Sequence, residues 1–243
     1  MNEVFEREWQ IGPGVCDEQG LLSYADAFRA FQDAATFHAE ELGVGLREIG
    51  KRDLFWVTVK TQVRFFRRPR MIERVIVRTW PEAPERMRGN RSYEIVSGDE
   101  VLVAGKTEWV TMNMKTHAVA PMRDLYPAEL TFSRPSACAE PFARIADDFD
   151  GAEPFCRHRV RSTDIDLGGH MNNIAYVRAM LGGFSLAELE ARPVKRADVV
   201  FRTICYEGET LLMQRRETEN GTDVRMSKDG ATVLLARLER AEN

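Results

Sequence analysis

The chain has 243 residues, 44% of them hydrophobic and 30% charged, enough to bury one large core or two smaller ones. A net charge of -4 and a pI near 5.7 argue against nucleic acid as a partner. The mixed-charge start MNEVFEREWQ, with no apolar run of membrane-spanning length anywhere, predicts a cytoplasmic chain with neither a secretory leader nor a membrane span.

In chain order, residues 3–10 alternate as an opening strand, and a loop follows through Gly12, Pro13, Gly14 and Gly20. Ser23 is placed to cap a helix in which Ala27, Ala30, Phe31, Ala34, Ala35, Phe37 and Leu42 recur at near-helical spacing, predicting a deeply buried helix. Four strands come next: FWVTVKTQVRFF, RVIVRTW, NRSYEIVSG and EVLVAGKTEWVTMN, the last two joined by a turn at Ser97, Gly98 and Asp99. Between 115 and 153 prolines crowd together, at 121, 127, 135 and 141 with Pro154 just beyond, marking a connector over the surface. The pattern then repeats: strand FCRHRVRST, helix NNIAYVRAMLGGFSLAELEA, and strands KRADVVFRTIC, TLLMQRRET, TDVRMSKDG and ATVLLARLER. Pattern alone supports α+β with an antiparallel sheet. Gly182 and Gly183 lower helix propensity inside the second helix, where a kink or a close approach is expected.

Cys16, Cys138, Cys156 and Cys205 are scattered, form no C-x-x-C pair and read as reduced thiols. His38, His117, His158 and His170 lack the spacing of a local metal site, so neither a metal nor another cofactor is expected.

The chemistry-bearing stretch is RVRSTDIDLGGHMNNIAYVRAML, from Arg159 to Leu181. It reads as a strand, then a Gly-Gly turn carrying Asp164, Asp166 and His170, then Asn172 and Asn173 opening an apolar helix. A helix start offers N–H groups without intrahelical partners to a developing oxyanion, and a histidine moves protons near neutral pH. Together they suit hydrolysis of an activated acyl group. The same asparagines and glycines also serve any strand that enters a helix, and local chemistry leaves both readings open.

D-x-D-x-x-x-H-x-N-N before an apolar helix resembles the signature of the acyl-acyl carrier protein thioesterases. LLSYADAFRAFQDAATFHAEELG, LFWVTVKTQVRFFRRP, VIVRTWP and SGDEVLVAGKTEWVTMN extend the likeness over most of the chain. The resemblance implies a double hotdog: two tandem α+β units, each a long helix wrapped by a curved antiparallel sheet. The units are expected at 1–130, holding the acyl-chain pocket, and 154–243, holding the catalytic motif, with a linker at 131–153. It implies release of free fatty acid from acyl carrier protein, with Asp166 and His170 as the catalytic pair. Asn172, Asn173 and Cys205 are possible supporting residues, and Phe28, Phe31, Phe37, Trp56, Val57 and Val59 are candidate pocket walls. The implied partner is an acidic carrier presenting its acyl chain on phosphopantetheine, approached by arginine clusters such as Arg157, Arg159 and Arg161. A homodimer is left open, since tandem hotdogs already supply their own pairing.

Two positions depart from the family pattern. Gly168 stands where plant members carry asparagine, and Ile204 stands where a glutamate is expected. They motivate the alternatives: a weak or inactive acyl-carrier or acyl-CoA binding protein, an acyl-CoA thioesterase, or an enoyl thioester hydratase.

Overall fold

The computed structural model describes residues 2–122, 125–219 and 221–241. The chain divides into two compact units, Met1–Pro141 and Phe142–Asn243. In the first, strands β1 (Phe5–Gln10), β2 (Leu54–Phe65), β3 (Arg74–Pro81), β4 (Gly89–Ser97) and β5 (Glu100–Asn113) form an antiparallel sheet in the order β1, β3, β4, β5, β2. A two-residue strand, β6 (Val119–Ala120), adds to the end of β5. Ser97 and Glu100 pair across a two-residue loop whose first member, Gly98, has φ +57°, the conformation that hairpin turn requires.

Helix α1 (Tyr24–Glu41) lies against this sheet, and the short helix α2 (Leu46–Gly50) follows it. Ser23 caps α1 by accepting from the Asp26 N–H at 3.1 Å and donating to the Asp26 carboxylate at 2.6 Å. Phe28, Phe31, Ala35 and His38 share the buried face. Phe31 stacks on Tyr93 with ring centroids 4.8 Å apart and packs directly over Gly105 of β5, where any side chain would occupy the ring's place. Phe37 departs from the expected burial: it is 43% exposed, because two residues from Ala35 is roughly 200° around a helix.

The second unit repeats the order: β7 (Pro154–Arg159), β8 (Val194–Phe201), β9 (Thr210–Thr218), β10 (Gly221–Lys228) and β11 (Ala231–Arg240) run as β8, β11, β10, β9, β7, all antiparallel. Asp229 and Gly230, at φ 50° and 82°, make the hairpin between β10 and β11. Two expectations are corrected here. The strand predicted over 155–163 ends at Arg159, and Ser162–Asp164 form a 3-10 turn in which Asp164 accepts from the Arg161 N–H at 2.9 Å. The single helix predicted over 172–191 is two, α3 (Asn173–Leu181) and α4 (Leu186–Ala191). The break has two causes. Gly183 is pressed by the Phe155 ring, 2.7 Å from where its Cβ would stand, and Ser185 with Glu188 forms a capping box that starts a new helix.

The proline-rich segment is tied down rather than loose. Trp80 Nε1 donates to the Pro135 carbonyl at 3.0 Å, Lys106 Nζ to those of Cys138 and Glu140 at 2.7 and 2.9 Å, and Gln62 to that of Pro141 at 3.1 Å. All four cysteines are free thiols. Among the described residues no helix is long and apolar enough to cross a membrane, and no cluster of three His, Cys, Asp or Glu side chains is placed to hold a metal ion.

Candidate active site

Ile165 and Met171 pair as an isolated bridge, so the five residues between them form a closed loop at the start of α3. The loop is held by Asp166 N–H to the His170 carbonyl (3.0 Å), Gly169 N–H to the Asp166 carbonyl (3.0 Å) and Asn172 N–H to the Asp164 carbonyl (2.8 Å). Gly169 sits at φ +76°, a backbone state that favours glycine. Leu167, at the tip, is 98% exposed.

The loop brings Asp166, His170 and Asn172 together. Asp166 Oδ1 accepts from the Gly168 N–H at 2.8 Å, and Oδ2 accepts from Asn172 Nδ2 at 3.3 Å. Asn172 uses its other amide atom as the cap of α3, its Oδ1 accepting from the Ile174 N–H at 2.8 Å. The amide can do both because its acceptor and its donor are separate atoms. His170 Nδ1 lies 3.7 Å from Asp166 Oδ1 and is buried without a hydrogen-bond partner, although both side chains are about a third exposed. A buried polar atom left unpaired is costly and needs a reason in function or in water.

Asn173 is the first residue of α3 and is half-buried. Asp164 belongs to the turn, bonded to His158 Nε2 at 2.8 Å as well as to the Arg161 N–H. Sequence reading gave His158 no role, although it stands in an alternating strand six residues before an acid. Cys205 is fully buried, its carbonyl accepting from the Met171 N–H at 2.7 Å. Burial pushes its thiol up despite Lys228 and the Tyr176 hydroxyl, away from the thiolate that a nucleophile requires. Glu209, near in sequence, is committed to the Tyr206 N–H at 2.8 Å and to Lys228 at 2.9 Å. Ile204 is 49% exposed.

Of the candidate pocket walls, Phe28 and Phe31 are buried on α1, Trp56 donates to the Val44 carbonyl at 2.8 Å, and Val57 and Val59 are half-buried on β2. Phe37 instead lies by Phe5, under the Arg7 guanidinium. A polar cavity of about 380 Å³ in the first unit is lined by Asn2, Val4, Phe5, Glu6 and Glu41, none of them among those walls.

Family comparison decides what kind of protein carries this loop. The model of the acyl-ACP thioesterase N-terminal domain matches residues 2–130, and that of the acyl-ACP thioesterase C-terminal domain matches 150–239. The chain belongs to the acyl-ACP thioesterase family. Relatives include a chloroplastic acyl-carrier-protein hydrolase of Cuphea viscosissima, 25% identical over 88% of this chain and 53% of the relative. A chloroplastic palmitoyl-acyl carrier protein thioesterase of Gossypium hirsutum is 24% identical over 91% of this chain and 58% of its own. The chain thus spans little more than half the length of these curated relatives. An acyl-ACP thioesterase from Bacteroides thetaiotaomicron superposes with a TM-score of 0.89 at 21% identity, covering 98% of each chain. The 12:0-ACP thioesterase from Umbellularia californica gives 0.84 at 20%, covering 100% and 99%. These place the thioesterase-family chain in the α+β double hotdog fold.

Proposed function

We propose that the chain hydrolyses fatty acyl thioesters carried on acyl carrier protein, releasing free fatty acid. The observation that carries this is the loop at the start of α3, where one carboxylate and one imidazole meet within 3.7 Å. In the reaction, the oxygen of a water attacks the thioester carbonyl carbon and its proton passes to Asp166. The C–S bond then breaks, and the departing pantetheine sulfur takes up the proton held on Asp166, which returns that carboxylate to its starting state. Asn172 and the Gly168 N–H fix the carboxylate, so its geometry is set before substrate arrives. His170, its Nδ1 unpaired beside Asp166, orients the water or hydrogen-bonds the carbonyl oxygen. A thioester is already activated, so a base and an oxyanion donor suffice. The carrier's acidic surface and phosphopantetheine arm are the expected partner, consistent with the exposed Arg157, Arg159 and Arg161 leading into the loop.

The test is release of free fatty acid from a panel of acyl carrier protein thioesters by the wild type, Asp166→Asn and His170→Ala. Each substitution is expected to lower kcat on the order of 10²-fold or more, within the range of general acid–base contributions. Tight acyl-carrier binding without release would instead identify a binding protein, and a hydroxyacyl product from an enoyl thioester would identify a hydratase.

A further inference from the structure

We infer that His158 is a positioning residue: through Asp164 it fixes the backbone from which Asn172 holds the Asp166 carboxylate. The relay has three links. His158 Nε2 donates to Asp164 Oδ2 at 2.8 Å, the Asp164 carbonyl accepts from the Asn172 N–H at 2.8 Å, and Asn172 Nδ2 donates to Asp166 Oδ2 at 3.3 Å. His158 stands on β7 opposite Leu211 of β9, which is fully buried, so the imidazole faces inward and both partners of the first link are largely shielded from water. A carboxylate accepts and does not donate, so Nε2 carries the proton. The same Oδ2 also accepts from the Arg161 N–H at 2.9 Å. One oxygen thus ties the turn that carries Asp164 to the strand before it, and Asn172 hangs from that turn.

The first unit supplies an internal control. Ile11 N–H reaches the Glu73 carbonyl at 3.0 Å as Val160 N–H reaches that of Glu209 at 2.9 Å, and a 3-10 turn follows each, Pro13–Val15 and Ser162–Asp164. Ser23 N–H then bonds the Val15 carbonyl at 2.9 Å, as Asn172 N–H bonds that of Asp164. In this register Trp9 takes the place of His158, Val15 that of Asp164 and Asp17 that of Asp166. The backbone therefore makes the same turn without a histidine–aspartate bond, and the fold does not demand one. What differs is how the acid beyond the turn is held. Each accepts the N–H two residues on, but Asp17 is further fixed by an ion pair with Arg68 and Asp166 by the Asn172 amide. A carboxylate held by a cap residue is only as well placed as the backbone of that residue. The polar pair stands in the unit where this placement serves the chemistry.

The catalytic consequence rests on the hydrolase reading, while the geometric content is measured without turnover. The experiment compares the wild type, His158→Gln and the double variant His158→Leu with Asp164→Val, which gives this turn the apolar character of its counterpart. Removing both partners together leaves neither orphaned, so the double variant is expected to melt within a few degrees of the wild type. Its kcat for acyl carrier protein thioester hydrolysis should nonetheless fall about tenfold with KM nearly unchanged, because a misplaced carboxylate is felt in the transition state. Glutamine sets an amide donor near the place of Nε2, so His158→Gln should keep kcat within about twofold of the wild type. In the substrate-free protein, NMR follows exchange with water of the Asn172 side-chain amide protons, identified by their loss in Asn172→Ser. Exchange should be slow in the wild type and His158→Gln and faster in the double variant. Wild-type kcat or unchanged exchange in the double variant would overturn the inference, as would a His158→Gln protein that loses as much activity as the double variant. If the wild type releases no fatty acid, the hydrolase reading fails, and the exchange measurement alone decides whether His158 sets the loop.

Discussion

Asn172 shows how one side chain can join a structural duty to a chemical one. Capping of α3 is its expected role, and the structure adds the bond from Nδ2 to Asp166, which the cap position alone does not reveal because capping uses only the side-chain oxygen. The two duties separate under substitution. Asn172→Ser keeps an oxygen for the Ile174 N–H, and serine caps about as well as asparagine, so the melting temperature should shift by no more than a few degrees. Its hydroxyl ends one bond short of the Nδ2 position, so the contact made at 3.3 Å to the carboxylate is lost. Hydrolysis is therefore expected to drop about tenfold while thermal unfolding stays near wild type, a split read by pairing a kcat measurement with a melting curve. Equal loss of both would reduce Asn172 to a cap.

At the scale of elements, the first unit repeats the loop that holds Asp166, with an isolated Cys16–Leu22 bridge, Asp17 N–H to the Leu21 carbonyl at 2.8 Å and Gly20 N–H to the Asp17 carbonyl at 3.0 Å, and this duplication explains why Ile204 matters. The ends of β2 and β8 correspond: Phe66 and Arg67 N–H both donate to the Leu102 carbonyl, and Arg202 and Thr203 N–H both donate to that of Val233. Leu22 N–H reaches the Pro69 carbonyl at 2.8 Å as Met171 N–H reaches that of Cys205 at 2.7 Å, so Arg68 is the counterpart of Ile204. Arg68 forms an ion pair with Asp17 and lies 4.3 Å over the Tyr24 ring, which turns that loop's carboxylate into a structural group. Isoleucine at 204 supplies no such counter-charge to Asp166. Ile204→Arg is expected to pair with Asp166 and cut thioester hydrolysis at least tenfold without lowering the melting temperature; unchanged hydrolysis would show that the two loops are not equivalent at this position. Most of the strands were legible because alternation and hairpin glycines are local signals, whereas their order in the sheet is not a local property. The helix break was half legible: Gly182 and Gly183 announced it, but the Phe155 ring that enforces it comes from a strand 28 residues away. Motif and family resemblance singled out Asp166, His170 and Asn172, which the loop brings together. The bonding among them was not legible, since which oxygen of Asp166 faces Gly168 depends on loop closure between Ile165 and Met171.

Over the whole molecule, several buried or bonded titratable groups act on stability in one direction. His38, buried on α1, accepts from Arg91 at Nδ1 (2.9 Å), which leaves its proton on Nε2, facing the Asn2 carbonyl at 3.2 Å. Burial, with the Arg91 charge adding to it, pushes the imidazole down to about 4. In the second unit the Ser185 N–H and Arg215 hold Glu188 at about 2, and in the first the Arg67 guanidinium does the same for Glu73. A histidine lowered from 6.5 to about 4 is neutral in both states above 6.5, so its stability contribution is intact there. As pH falls through that window the unfolded chain takes up the proton first, and stability drops by roughly 3 kcal/mol until both states are protonated below 4. The two glutamates have the same sign in a lower window: their contribution is full above 4.5 and is lost as pH falls toward 2. Acid unfolding should therefore begin well above the carboxylate range. His38→Gln, which keeps an acceptor and a donor but cannot titrate, should flatten denaturant-derived stability between pH 6.5 and 4.5 and leave the decline below 4.5 in place. If the variant and the wild type lost stability with the same slope between pH 6.5 and 4.5, the buried neutral imidazole would not be what sets the upper edge of acid sensitivity.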